Sequence, residues 1–488
     1  MRTSKEISLS LSIFPILLLV LMLSYNVISS EWLGTYTFHL ILLITTCIIS
    51  IIGLINRIPV RLIFSKIYES VKSIKTPIII LLLVGALAGT WKVSGVIPAM
   101  VYYGINFIDP SVFLPLTLVI TAIVSLTAGS SYITSATIGV ALVSVGNAFN
   151  IPASMTAGAV ISGAYFGDKM SPLSDTTNLA SAISGTDLYT HIKYMMYTTF
   201  PTFIITFIVF CIITLNLNSS GSNDAIEIGV ISEILKKDFY ISPLLFIIPA
   251  SVLILAYIKV KPVIALSLGV LLALIFSIIF QGNILDKIDI STSRAILNSM
   301  FTFTEIPLEL SKSIENTKLL DGINDLYTRG GMESMLWVIM LTICAMIFGG
   351  AMEAIGALKK ITNKLLKLAD SAFGLVASTV ASCLGVNLFA SDQYLAIIIP
   401  GKMFKNAYEE YNLAPENLSR TLEDSGTVTS ALIPWNTCGA YHYGVLGVSV
   451  VDYFVYAIFN WLSPVMTLIY AGIGIKIRSI TIKTNNKI

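Results

Sequence analysis

Apolar runs of the length needed to cross a lipid bilayer recur along this chain and leave it few folds to adopt. A membrane-spanning helix takes about 20 mostly apolar residues. Runs of that kind occupy residues 9–28, 35–55, 76–97, 189–217, 241–257, 262–280, 335–358 and 452–475. Arg2 and Lys5 ahead of the apolar stretch 9–23 imitate a signal peptide. That run nearly spans a bilayer and others follow it, so it is read as the first span. Only 12% of the 488 residues are charged and 55% are hydrophobic, against about 25% charged in soluble domains. The expected fold class is an all-α polytopic membrane protein.

Several function classes fall away on the same reading. The net charge of +2 offers no basic surface for nucleic acid. Cys47, Cys211, Cys344, Cys383 and Cys438 are scattered through apolar runs without CxxC spacing, which argues against disulfides or zinc. His39, His191 and His442 are too far apart in sequence for a transition-metal cluster. No cofactor is expected. There is no phosphate-binding loop with a Gly-Lys-Ser/Thr pattern, which leaves an ion gradient rather than ATP as the energy source. HExxH, GxSxG and dinucleotide fingerprints are absent too, and an enzyme is not expected.

Lys and Arg set the expected orientation, because they gather in cytoplasmic loops. Arg57, Arg61, Lys66, Lys72 and Lys75 lie in the loop 56–75, and Lys359, Lys360, Lys364 and Lys367 follow residue 358. Lys259 and Lys261 form a short basic turn, and Lys476, Arg478, Lys483 and Lys487 form a basic tail over 476–488. Both termini are therefore expected in the cytoplasm and the loop 281–334 outside. The span 76–97 then runs outward and the span 335–358 inward. Each precedes a long apolar stretch, 113–187 or 371–451, broken repeatedly by Gly, Pro, Ser and Thr. The polar break 127–134 in the first has its match at 387–392 in the second, and each stretch holds a carboxylate, Asp168 or Asp424, 256 positions apart. Two halves of opposite orientation with matched breaks are the mark of an inverted-repeat transporter. The expected units are a first repeat over 1–217 with an ion-site segment at 127–180, and a linker loop at 218–240. A second repeat follows over 241–475, with an ion-site segment at 385–440. Broken helices or re-entrant hairpins are expected at the midplane.

The breaks carry the chemistry. Between Asp168 and Asn178 stand two carboxylates, Asp168 and Asp175, with Ser171, Ser174, Thr176, Thr177 and Asn178, and Pro172 prevents a regular helix. A broken helix exposes backbone carbonyls, tolerated within a membrane only around a cavity or inside protein. Carbonyl, hydroxyl and carboxylate oxygens suit a small hard cation. The second segment repeats the pattern with Glu423, Asp424, Thr427, Thr429, Pro434, Asn436 and Thr437, and Asn387 and Asp392 are placed to complete it. The candidate ion-binding and proton-coupling residues are Asp168, Ser174, Asp175, Thr176, Thr177, Asn178, Asn387, Asp392, Asp424, Thr427, Thr429, Asn436 and Thr437, with Na+ held by a subset of them. A carboxylate inside a membrane is costly and tends to be functional. One that holds either a proton or a sodium ion gives the simplest physical basis for exchange.

These segments resemble the NhaC-type sodium/proton antiporter family, within a larger ion-transporter superfamily. The resemblance rests on Gly89–Pro98 with Tyr102, Tyr103 and Gly104, on 127–139, and on 167–180 (GDKMSPLSDTTNLA). It continues through 329–332, Asp392–Leu395 with Pro400 and Gly401, and 422–440, which holds EDSGTVTSALIPWNTCGA. Tyr132 and Ile133 depart from the family pattern, which has Trp and a smaller residue there. The resemblance implies exchange of Na+ for H+ by alternating access across a bacterial cytoplasmic (inner) membrane, with a homodimer by fold-level analogy. Similar family members exchange organic acids such as malate for lactate, with Na+ and H+. Lys92, Lys169 and Arg420 are the candidates for a fixed positive charge near a small organic acid.

Overall fold

The computed structural model describes residues 7–28, 36–217, 224–287, 292–302 and 330–480. Among these the regular structure is helical, apart from one isolated bridge between Leu413 and Ser479. Eight described helices are long and apolar enough to cross a membrane, or nine if a pair bent by 84° near residue 240 counts as one span. The protein is an all-α polytopic membrane protein, as its apolar runs predict. Helices Leu9–Ile28, Thr37–Ile55, Leu188–Leu217 and Pro262–Phe280 fall where the apolar runs place them.

The differences lie where charge and apolar periodicity coexist. The basic stretch 56–75, read as a loop, is helical over Val60–Ser73. This helix lies against Leu336–Ala354, where Gly350 lets the backbone of Lys66 and Ile67 approach. The Lys66 ammonium bridges Glu69 at 2.9 Å and Glu353 at 3.0 Å. Basic residues after 358 belong to a helix, Ala357–Leu366. Asp224–Asp238 is helical within the expected linker 218–240. The expected loop 281–334 contains helices Gly282–Lys287 and Thr292–Phe301, while 303–329 fall outside the described residues. The expected span 452–475 is divided into Val450–Tyr453 and Ile458–Gly472. Its polar residues Asn460, Ser463 and Thr467 are buried, so this face packs into protein, while Val465 and Ile469 are exposed on the other. Of the basic tail, Lys483 and Lys487 lie outside the described residues, whereas Arg478 pairs with Glu416 at 2.7 Å.

The backbone repeats itself. Gly129 and Ser391 both take the left-handed conformation, at φ 64° and 57°, and stand 262 positions apart (129 to 391). Each ends a helix, Phe113–Ala128 or Ala372–Ala390, and each is followed by an extended cap, Ser130 or Asp392, that starts the next helix. The same 262-residue interval relates Asn150 to Asn412, both at φ 56°, and Gly185 to Gly447, both left-handed. It also relates the extended caps Ser174 and Asn436, at ψ 135° and 146°. Side chains follow the same register. Ser125 donates to the Ala164 carbonyl at 2.5 Å, and its counterpart Asn387 donates to the Gly426 carbonyl at 2.6 Å. The repeated pattern thus lies inside the expected units 1–217 and 241–475. It matches the two polar breaks with each other. It does not match the two carboxylates, because the counterpart of Asp168 is Ser430 and that of Asp424 is Ser162.

In a bilayer, helices gain little from hiding apolar surface from one another, so close packing and interhelical hydrogen bonds hold them together. Helices Phe113–Ala128 and Ala153–Met170 meet backbone to backbone. A Cβ on Gly163 would strike the Leu118 carbonyl, and one on Gly167 would strike the Ala122 carbonyl. Gly163→Leu and Gly167→Leu are expected to cost about 1–3 kcal/mol each through overpacking. Thermal unfolding in detergent checks this, and an unchanged melting temperature in both variants would contradict the close approach.

Candidate functional site

Asp168 lies near the end of helix Ala153–Met170 and is 7% exposed. Its Oδ2 accepts from the Ser131 amide at 3.0 Å and from the Ser131 hydroxyl at 2.7 Å. Ser131 reaches it because the chain turns at Gly129, where the positive φ suits glycine, and a new helix begins beyond the Ser130 cap. After Asp168 the helix stops before Pro172, and a second helix starts at Asp175 behind the Ser174 cap. The ends of three helix segments therefore converge on one carboxylate.

These ends line a cavity of about 450 Å³ that includes Ser130, Ser131, Asp168, Ser174, Asp175 and Gln393. Thr176 and Asn178 line it as well, and Lys259 and Lys261 of the basic turn lie on its rim. Gln393 is the first residue of a helix in the second half, is 7% exposed, and has no hydrogen-bond partner for its Oε1. A second cavity of about 530 Å³ shares Ser130, Asp175 and Tyr394 with the first and extends to Asp392, Thr437, Glu69 and Glu353. Carboxylate, hydroxyl and amide oxygens around a polar hollow form a donor set for a small hard cation.

Other expected residues have structural duties. Thr177 donates to the Lys169 carbonyl at 3.0 Å, closing the helix end beside the break. Asn178 donates to the carbonyls of Pro172 and Ser174. In the second half, Asn387 also donates to the Thr429 hydroxyl at 3.1 Å, and Asn436 donates to the Asn387 carbonyl at 3.1 Å. Asn436 Oδ1 accepts from the Cys438 amide, and Thr429 donates to the Ser425 carbonyl. These bonds satisfy backbone groups that the break at 423–436 would otherwise strand. Asp392 caps its helix through the Leu395 amide at 2.9 Å.

Asp424 has a different setting. Its carboxylate forms a fully buried ion pair with Lys169. Thr198 donates to it at 2.8 Å, Thr467 also donates, and Ser463 lies at 3.4 Å. The cluster joins helix Ala153–Met170 to Leu188–Leu217, to Ile458–Gly472 and to the irregular turn Glu423–Thr427. Asp168 and Asp424 therefore form two environments. One is a carboxylate beside a cavity, and the other is committed to an internal cation. Of the three candidate cations, Lys169 is taken by Asp424. Arg420 stacks 4.7 Å above the Tyr194 ring and donates to the Lys476 carbonyl at 3.1 Å. Lys92 is buried beside a cavity of about 400 Å³ with Ser144, Asn147 and Tyr443.

Sequence reasoning did not place Ser130, Ser131, Gln393, Thr198, Ser463 or Thr467 in the site. Ser130 and Ser131 lie in a break that the sequence does mark. Thr198, Thr202 and Thr206 form a buried polar stripe at four-residue spacing inside an apolar span, a signal legible as an inward face. Removing one partner of a buried ion pair costs about 3–5 kcal/mol, and removing both costs far less. Lys169→Met is expected to lower the melting temperature sharply, and Lys169→Met with Asp424→Leu to recover much of it. A double variant as unstable as the sum of the singles would contradict the pairing.

The profile of the Na+/H+ antiporter family matches residues 163–475. The Na+/H+ antiporter NhaC of Alkalihalophilus pseudofirmus is 37% identical over 462 residues, covering 95% of this chain and 96% of that protein. NhaC of Bacillus subtilis is 37% identical over 434 residues, covering 88% and 91%. A malate-2H+/Na+-lactate antiporter of Bacillus subtilis is 35% identical over 402 residues, covering 81% of each chain. The chain belongs to the Na+/H+ antiporter family.

Proposed function

We propose that this protein exchanges Na+ for H+ across the cytoplasmic membrane by alternating access, with intramembrane carboxylates shared between the two ions. The observation that supports this best is the pocket at Asp168. A carboxylate with two donors from one half faces a buried, unpartnered amide oxygen from the other half. Na+ sits among Asp168, Asp175, Ser130, Ser131, Ser174 and Gln393. Ligands drawn from both halves suit a site that is rebuilt when the halves rock, and the matched breaks support that symmetry. The reading includes halves of opposite orientation and both termini in the cytoplasm, which the Lys and Arg distribution supports.

A second reading rests on the buried Lys92, whose cavity suits the carboxylate of a small organic acid co-exchanged with the ions. The name of the malate/lactate relative favours the same reading.

In reconstituted vesicles, a pH dye is expected to report proton movement on addition of Na+ alone, and Asp168→Asn is expected to abolish it while leaving a folded, inserted protein. Normal exchange in that variant would remove Asp168 from the mechanism. A response only when malate or lactate accompanies Na+ would favour the organic-acid reading.

A further inference from the structure

Glu423 is the buried carboxyl that the ion site leaves unused. It is 0% exposed, at the start of the irregular turn Glu423–Thr427, and neither of its oxygens has a hydrogen-bond partner. The Thr427 hydroxyl, four residues on in the same turn, lies beside the Glu423 carboxyl and makes no hydrogen bond of ordinary geometry. Both neighbouring carboxylates are provided for. Asp168 has two donors from Ser131, and Asp424 has Lys169, Thr198 and Thr467. The titratable groups whose fields reach Glu423 are Asp168 and Lys169 on helix Ala153–Met170, Asp424 beside it, and the Cys383 thiol on helix Ala372–Ala390. Lys169 is already paired. The 262-residue register sets Ile161 opposite Glu423 and Tyr165 opposite Thr427, so the first half has no equivalent carboxyl.

An ionised carboxylate without a donor or counter-charge inside protein or membrane costs several kcal/mol. In the present arrangement Glu423 therefore holds its proton. Lys169 and Asp424 cancel, and the buried group carries one negative charge, on Asp168. Binding of Na+ beside Asp168 removes that charge. Loss of the proton from Glu423 restores it, with the O–H electron pair left on the carboxylate, the proton passed to water, and the Thr427 hydroxyl free to donate to the new anion. The net charge of the core is the same before and after.

We propose that Glu423 is the proton-carrying site of the exchange, separate from the Na+ site at Asp168 and coupled to it through charge. This rests on the Na+/H+ exchange reading and changes it in one respect: the two ions compete for one buried charge through two carboxyls rather than for a single carboxylate. The experiment uses the full chain in proteoliposomes, with radioactive Na+ for Na+/Na+ counterflow and a pH dye for Na+-driven proton movement. Glu423→Gln is expected to keep counterflow within about two-fold of the parent and to lose at least about ten-fold in proton movement. Glu423→Asp, which restores a carboxyl, is expected to recover proton movement. Parent-like proton movement in Glu423→Gln would overturn the proposal, as would loss of both activities in both variants, the mark of a structural role. Absence of Na+-driven proton movement in the parent itself would overturn the exchange reading instead.

Discussion

A lysine ammonium and an aspartate carboxylate meet directly in the interior of this protein, and the surroundings of both buried aspartates take their form from that meeting. Two isolated charges at that depth would be prohibitive. Together, with three hydroxyls around them, they are tolerated. The pair ties the helix that carries Asp168 to elements of the second half. Lys169 serves Asp424, so Asp168 is left to the cavity.

The repeated backbone provides the frame for this asymmetry. Left-handed residues at 129 and 391 end two helices, and the capping residues that follow begin two more, at the same interval that relates Ser174 to Asn436. Interrupted helices bring free backbone ends and short polar side chains to the middle of the molecule, which a continuous helix cannot do. On this symmetric frame the charges are placed unequally. Asp168 answers to Ser430, Asp424 to Ser162, and Glu423 to Ile161. A binding region with unlike halves can bind an ion in one and hold a compensating charge in the other.

The sequence made the membrane class, the two broken stretches and the carboxylates at Asp168 and Asp424 legible, because long apolar runs and proline breaks are local signals. It did not show the partners. Asp168 and Lys169 are neighbours in the chain and invite pairing, but successive helical residues point about 100° apart. One faces Ser131 and the cavity, while the other reaches Asp424 from 255 positions away. The spacing of 256 between the two aspartates imitates the true interval of 262 closely enough to mislead, and backbone conformation is needed to correct it. The basic segments 60–73 and 357–366 read as loops because their charge outweighed the few positions, such as Ile63 and Leu358, that are buried once each segment is helical. Gln393 is one polar residue beside a break in the sequence, and its unpartnered oxygen is visible only in three dimensions.

If Na+ and H+ exclude one another through buried carboxyls, as proposed, sodium binding must expel protons. Calorimetric titration of the purified protein with Na+, in buffers of different ionisation enthalpy, measures the protons expelled per sodium bound. Close to one proton is expected to leave for each sodium bound at a pH where the empty site is protonated. Sodium binding with no release of protons would contradict it.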